Sequence, residues 1–161
     1  MIVADSGPII AFARLGQLDL LRQVVETLVI PDAVYEELVG RGSTRPGAAE
    51  VAQGGWIHRR TVTDHEAVAQ LPRVLHAGER EAIVLARELS AQLLMDEQRG
   101  REIARAQGLE LVGILRIVAE AKHRGLIPAV QPLVDALRTI GYRMDEERVI
   151  RPFLAEMGEA E

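Results

Sequence analysis

The sequence predicts an α/β protein, a three-layer α/β/α sandwich with a mainly parallel central sheet. Three observations carry that expectation. Short apolar runs, Ile2-Val3-Ala4, Leu28-Val29-Ile30 and Leu93-Leu94-Met95, have the length and composition of buried parallel strands. Each is followed by segments with apolar residues at helical spacing, and strands alternating with helices build a sheet covered on both faces. Two of the runs end abruptly on acids, Asp5 and Asp96-Glu97, where open α/β sheets bind their ligands.

The elements follow in order. After Ile2-Val3-Ala4, Ser6 can cap a first helix and Pro8 fits its first turn. Gln17 to Glu26 reads as a second helix with Leu18, Leu20, Leu21, Val24 and Val25 on its buried face. Leu28-Val29-Ile30 is the next strand. A third helix runs from Pro31-Asp32 to Val39, stopped by Gly40 and Gly42. Arg41 to Gly55 is a Gly-rich loop carrying one short helix over Ala48 to Gln53, and Trp56-Ile57-His58 reads as a short edge strand. Thr61 to Val74 is weakly helical, with Asp64 as cap and Pro72 as its end. The most regular helix opens at Gly78-Glu79-Arg80-Glu81 and runs to about Ser90, with Ala82, Leu85, Ala86 and Leu89 inward. Beyond Asp96-Glu97 a helix carries Arg99, Arg101 and Arg105, with Ile103 and Ala104 inward and Gly108 closing it. Leu109 to Val112 is a further strand, and Gly113 precedes a helix from Ile114 to His123. Another helix ends near Ile140, and a last amphipathic one spans Met144 to Met157, kinked or limited by Pro152. Residues 1–140 are read as one domain, with 141–161 a helical extension packing on it.

Length and composition bound the function. A chain of 161 residues suits one domain with its own core, and aromatics at 3% leave that core to Leu, Ile, Val and Ala. With no Cys, disulfides and thiolate metal sites are excluded. His58, His65 and His76 lack the spacing of a zinc site. No basic leader precedes the first strand and no apolar stretch approaches a membrane span, so a cytoplasmic protein with no membrane contact is expected. A net charge of −5 argues against holding nucleic acid by a bulk positive field, but not against a nuclease whose acids surround a cation.

The acids are therefore the informative residues. Asp5 and Asp96 end strands and should meet at one sheet edge. On the third helix Glu37 falls beside the inward Val34 and Leu38, while Glu36 turns to water. Glu79 lies near the edge of the inward stripe, and Glu81 lies farther round, toward Val84 and solvent. Each has a plainer reading: a cap for Asp5, a rim ion pair for Glu37, the helix macrodipole for Glu79 or Glu81. Taken together, four like charges persist side by side only when protons or cations neutralise them. A hard divalent ion suits all-oxygen ligands, and Mg²⁺ or Mn²⁺ so held activates water against a phosphodiester.

Asp5-Ser6 after the first strand, Pro31-x-x-Val34-x-x-Glu37-Leu38, Gly78-Glu79-x-Glu81-Ala82-Ile83 and Leu94-Met95-Asp96-Glu97-x-x-Gly100-Arg101 together resemble the PIN-domain nucleases. More narrowly they are similar to the prokaryotic branch related to the virulence-associated toxins of type II toxin–antitoxin pairs. The likeness extends through Gly113 and Ala121-Lys122-x-x-Gly125-Leu126-Ile127. It implies a Mg²⁺- or Mn²⁺-dependent endoribonuclease whose acidic site is Asp5, Glu37, Glu79 and Asp96. Glu79 competes with Glu81 for the third position and Asp96 with Glu97 for the fourth, Glu97 otherwise holding metal through water. Ser6, Arg99 and Arg101 are the candidate substrate contacts. Many relatives carry a hydroxyl residue after the glycine, where this chain has Ile114. The likeness also implies an RNA substrate, a cognate antitoxin and a homodimer, with Phe12, Leu15 and Leu18 as candidates for a partner groove or, more plainly, for core. The competing reading is a PIN-like binding module of little or no activity that acts through a protein partner. A phosphoacceptor receiver would need a second acid beside Asp5 and a strand-end lysine, and a dehalogenase-type phosphatase would need Asp where Gly7 stands.

Overall fold

Strand β1 (Ile2–Ala4) is the middle of a five-stranded sheet with β2 (Leu28–Pro31), β3 (Ile57–Arg60), β4 (Gln92–Leu94) and β5 (Leu111–Val112). The computed structural model describes residues 1–40 and 44–159. The strand order is β3-β2-β1-β4-β5 and every pair is parallel. The chain winds outward from β1 through β2 to β3, then crosses back to β4 on the other side of β1. Such a reversal opens a crevice beyond the carboxyl ends of the two strands that flank it. The register pairs Ala4 with Leu94, and the Asp5 N–H donates to the Leu94 carbonyl at 3.1 Å, so Asp5 and Asp96 emerge side by side at that crevice.

Alternation along the strands divides the core into two layers. Ile2, Ala4, Leu28, Ile30, Leu94 and Val112 face helices α1 (Ser6–Arg14), α2 (Leu18–Val25), α8 (Ile114–His123) and α9 (Gln131–Thr139). Val3, Val29, Leu93 and Met95 face α5 (His65–Gln70), α6 (Ala77–Leu89) and α7 (Gln98–Ala106). Right-handed crossovers running in opposite directions along the sheet must lie on opposite faces, which is why the layers split this way. Helix α3 (Asp32–Val39) bridges them at the crevice end, packing on α6, with the short α4 (Ala48–Gln53) beside it.

Several expectations are corrected. The serine cap gives way to Asp5: β1 stops at Ala4, so Asp5 takes the extended position before α1 (φ −79°, ψ 167°) and Ser6 is already helical. Val84, expected toward solvent, is buried in the core layer it shares with Val62, Leu71 and Leu75. Phe12 is fully buried and Leu18 nearly so, which assigns both to the core rather than to an open groove. Only Leu111–Val112 of the segment from Leu109 pairs in the sheet, since Gly108 (φ +80°) turns the chain late. The last helix is divided into a π-helical turn, Glu146–Ile150, and α10 (Arg151–Glu156). Pro152 falls in the first turn of α10, where its missing N–H leaves nothing unpaired. Ile150 and Leu154 from this segment are buried in the same core as α1 and α8. Gly42 lies outside the described residues, and α3 ends at Gly40.

Candidate active site

Asp5 is the first acid of the crevice. It stands 7% exposed at the N-terminus of α1, yet its side chain makes no capping bond to the first turn, so the cap does not account for it. Burial, with the Glu79 and Glu37 carboxylates adding to it, pushes its pKa up to about 7, against the pull of the Ser6 N–H. Ser6 itself is buried beside it. Glu37 arrives from α3 and Glu79 from the first turn of α6, and Gly78 makes room between them. A Cβ on Gly78 would lie 3.2 Å from Glu37 Oε2 and 3.7 Å from Asp5 Oδ1. Glu37 sits at the rim, 3.9 Å from Arg45, a distance and exposure that give an ion pair little strength.

Glu79 is 5% exposed. Its Oε1 accepts the His76 N–H at 3.0 Å, while its Oε2 is buried with no donor. Burial raises its pKa, and the neighbouring Glu97 carboxylate raises it further. Both Glu79 Oε2 and Glu97 Oε2 come within 3.4 Å of where a Gly100 Cβ would be. Glu97 caps α7, accepting the Gly100 N–H at 2.6 Å, and its pKa is lowered by that bond and the Arg99 N–H despite burial. The structure thus separates the two competitors on α6: Glu81 turns away to accept the Ala33 N–H at 3.2 Å, at the start of α3, whereas Glu79 faces the crevice acids.

Asp96 accepts the Ile114 N–H through both oxygens, at 3.1 and 3.3 Å. Burial raises its pKa, opposed by the Tyr142 hydroxyl, the Ile114 N–H and the Arg101 charge. Where relatives offer a hydroxyl, Ile114 offers its backbone N–H while its side chain fills the core. Arg101 is half-buried with Nη1 donating to the Met95 carbonyl at 2.7 Å, and Arg99 is exposed. A cavity of about 280 Å³ is lined by Asp5, Asp96 and Glu97 with the first turn of α1, and by Tyr142 and Arg143. Sequence reading missed those last two. They follow the final break of a helical pattern, and no local spacing marked them. Among the described residues, no three Asp, Glu or His side chains already converge as a finished metal ligand set.

A family model described as a PIN domain, DUF3368, matches residues 1–159. The chain belongs to the PIN-domain family. A solved structure similar to this PIN domain is a PilT N-terminus domain protein, SSO1118, from the hyperthermophilic archaeon Sulfolobus solfataricus P2. The two share 17% identity with a TM-score of 0.57, over 75% of this chain and 93% of that one, which is agreement in fold. A sequence search among curated proteins found no match. PIN domains are generally metal-dependent nucleases that use divalent ions. The residues here fit such an ion: an all-oxygen donor set, and a buried carboxylate oxygen on Glu79 that no protein donor satisfies.

Proposed function

We propose that this PIN domain is a Mg²⁺- or Mn²⁺-dependent endoribonuclease. The observation that carries the reading is the buried, donorless Oε2 of Glu79 beside Glu97, in a crevice where Asp5 is also crowded by carboxylates. Removing the Glu79 charge from water without a counter-charge costs several kcal/mol, a cost that a proton or a cation at this site would relieve. Asp5, Glu37, Glu79 and Asp96 would hold it, with Glu97 reaching it through water. The ion would supply an activated water and charge stabilisation at a phosphodiester. With its pKa raised to about 7, Asp5 is partly protonated near neutral pH, and bound positive charge would displace that proton. Ser6, at the N-terminus of α1, and Arg99, on the exposed side of α7, would meet phosphate oxygens.

Cleavage of a fluorogenic RNA with Mg²⁺ or Mn²⁺, comparing the native chain with Asp5→Asn and Asp96→Asn, tests the assignment. Activity in the native chain and loss in both variants is expected; equal cleavage by all three, or by none, removes it and leaves the binding-module reading. We further propose that the protein is the toxin of a type II toxin–antitoxin pair, cytoplasmic and homodimeric, neutralised by a cognate antitoxin. The likeness of its motifs to the virulence-associated branch supports this, and no described helix is long and apolar enough to cross a membrane. Growth arrest on expression, relieved by a small protein encoded alongside, is the expected result. Unaffected growth with confirmed expression overturns it.

A further inference from the structure

We propose that Arg143 is the side chain of this site that grips a phosphate of the substrate strand, delivered by the turn that follows α9. The inference rests on the nuclease reading. It begins with how residue 143 is placed. Gly141 (φ +87°) ends α9, with the Gly141 N–H donating to the Arg138 carbonyl at 3.0 Å and the Tyr142 N–H to the Leu137 carbonyl at 2.9 Å. These two bonds form a Schellman motif, which fixes the direction in which the chain leaves the helix. The Tyr142 ring then packs against the core and its hydroxyl faces the Asp96 carboxylate. Arg143 is therefore held at the mouth of the cavity that Asp5, Asp96 and Glu97 line.

Two other arginines at the crevice are engaged. Arg101 donates to the Met95 carbonyl and sits beside Asp96. Arg45 stands against Glu37, while Arg99 is exposed on α7 and does not line that cavity. Arg143 is exposed and, among the described residues, has neither an ion pair nor a hydrogen bond, although carboxylates line the same cavity. A guanidinium offers a planar pair of donors that matches a phosphate, and one that its own acids leave unbound is available to an incoming anion. A phosphodiester strand entering an acidic crevice needs such a contact, because the carboxylates repel it wherever the cation does not reach.

The test uses a fluorescein-labelled single-stranded RNA 12-mer, bound in EDTA over a series of salt concentrations, and its cleavage in Mn²⁺. Arg143→Gln is expected to weaken binding about 10-fold at low salt and to flatten the salt dependence by about 0.7 in log–log slope, one phosphate contact on a single strand. KM should rise more than kcat falls, with an unchanged melting temperature. Arg143→Lys, which keeps the charge, should restore the native slope. Native affinity and slope in Arg143→Gln, or a slope that Arg143→Lys fails to restore, overturns the inference while native cleavage leaves the nuclease reading standing. A native chain that neither binds nor cuts the RNA overturns both.

Discussion

Replacing Asp5 by Asn should stabilise the metal-free protein at neutral pH while abolishing its response to metal. The carboxyl is 7% exposed, and burial moves its pKa from 3.8 to about 7. Because the folded value lies above the unfolded one, the folded state binds the proton more tightly. The associated stability is complete below about pH 3.8 and is lost as pH rises through about 7. Three pK units correspond to about 4 kcal/mol, of which about 3 kcal/mol is lost between pH 4.5 and 8. For a chain of this size that is about 6–12 °C in melting temperature. Thermal melts of native protein and Asp5→Asn in EDTA read the effect of Asp5 together with the carboxylates coupled to it, since titrations of remote groups cancel in the difference. The native chain should fall behind the variant as pH rises. Millimolar Mn²⁺ should then raise the melting temperature of the native chain and leave that of the variant in place. A difference between the two proteins that stays flat from pH 4.5 to 8 refutes the claim that Asp5 is held buried against its charge.

Other perturbations probe the surroundings. Gly78→Ala places a methyl 3.2 Å from Glu37 Oε2 and Val34 Cγ2, so RNA cleavage should drop while the gain of about 1 kcal/mol in helix propensity keeps the melting temperature near native. Gly100→Ala meets Met95 Sδ at 2.5 Å and should cost about 1–3 kcal/mol by denaturant unfolding. Glu159 accepts from Lys122 Nζ at 2.7 Å and from the Val130 and Gln131 N–H groups at 2.8 and 3.0 Å, with its side chain 12% exposed. Glu159→Gln should therefore lose about 1.5–3 kcal/mol. The Lys122 ammonium and those N–H groups hold its pKa below the usual 4.5, so its contribution is present above that value and the native chain and variant should converge as pH falls below it. Glu26 ends α2 in a γ-turn (φ 65°, ψ −55°), closed by the Thr27 N–H on the Val25 carbonyl at 2.7 Å. Glu26→Gly should raise stability by about 1 kcal/mol in chemical denaturation, since such a conformation strains any residue with a Cβ.

The sheet was legible because parallel strands buried on both faces leave apolar runs that need no partner to be recognised, as in Ile2-Val3-Ala4 and Leu93-Leu94-Met95. Asp5 and Asp96 stood out for the same reason: an acid directly after such a run has to lie at the strand end. Helix faces were harder to read. A single wheel for α6 made Val84 an outward residue, because the wheel knows nothing of Val62, Leu71 and Leu75, which share its core layer. The helical face favoured Glu79 over Glu81, and in the fold the start of α3 takes Glu81 away. Tyr142 and Arg143 were invisible, since what brings them to Asp96 is the return of α9 across the sheet, a long-range event with no periodic trace.

One arrangement accounts both for the crowding of acids and for their failure to close on a common point. Each lies at a helix start: Asp5 before α1, Glu79 in the first turn of α6, Glu97 capping α7, and Asp96 on the first N–H of α8. Helix N-termini carry partial positive charge, and each favours a nearby carboxylate by about 0.3–1 kcal/mol, or about 2 kcal/mol when partly buried. For Glu79, Glu97 and Asp96, those N–H groups hold the oxygens they bind and so keep these carboxylates at separate stations around the crevice. For the buried Asp5 and Glu79 their help is smaller than the several kcal/mol that desolvating a carboxylate costs, and it does not reach Glu79 Oε2. The fold alone therefore makes the acids tolerable one at a time but leaves a residual demand for positive charge at their centre. On the proposed reading a divalent cation would meet that demand where a lysine would not: it takes several oxygens at once, and no side chain of its own would occupy the space a substrate needs.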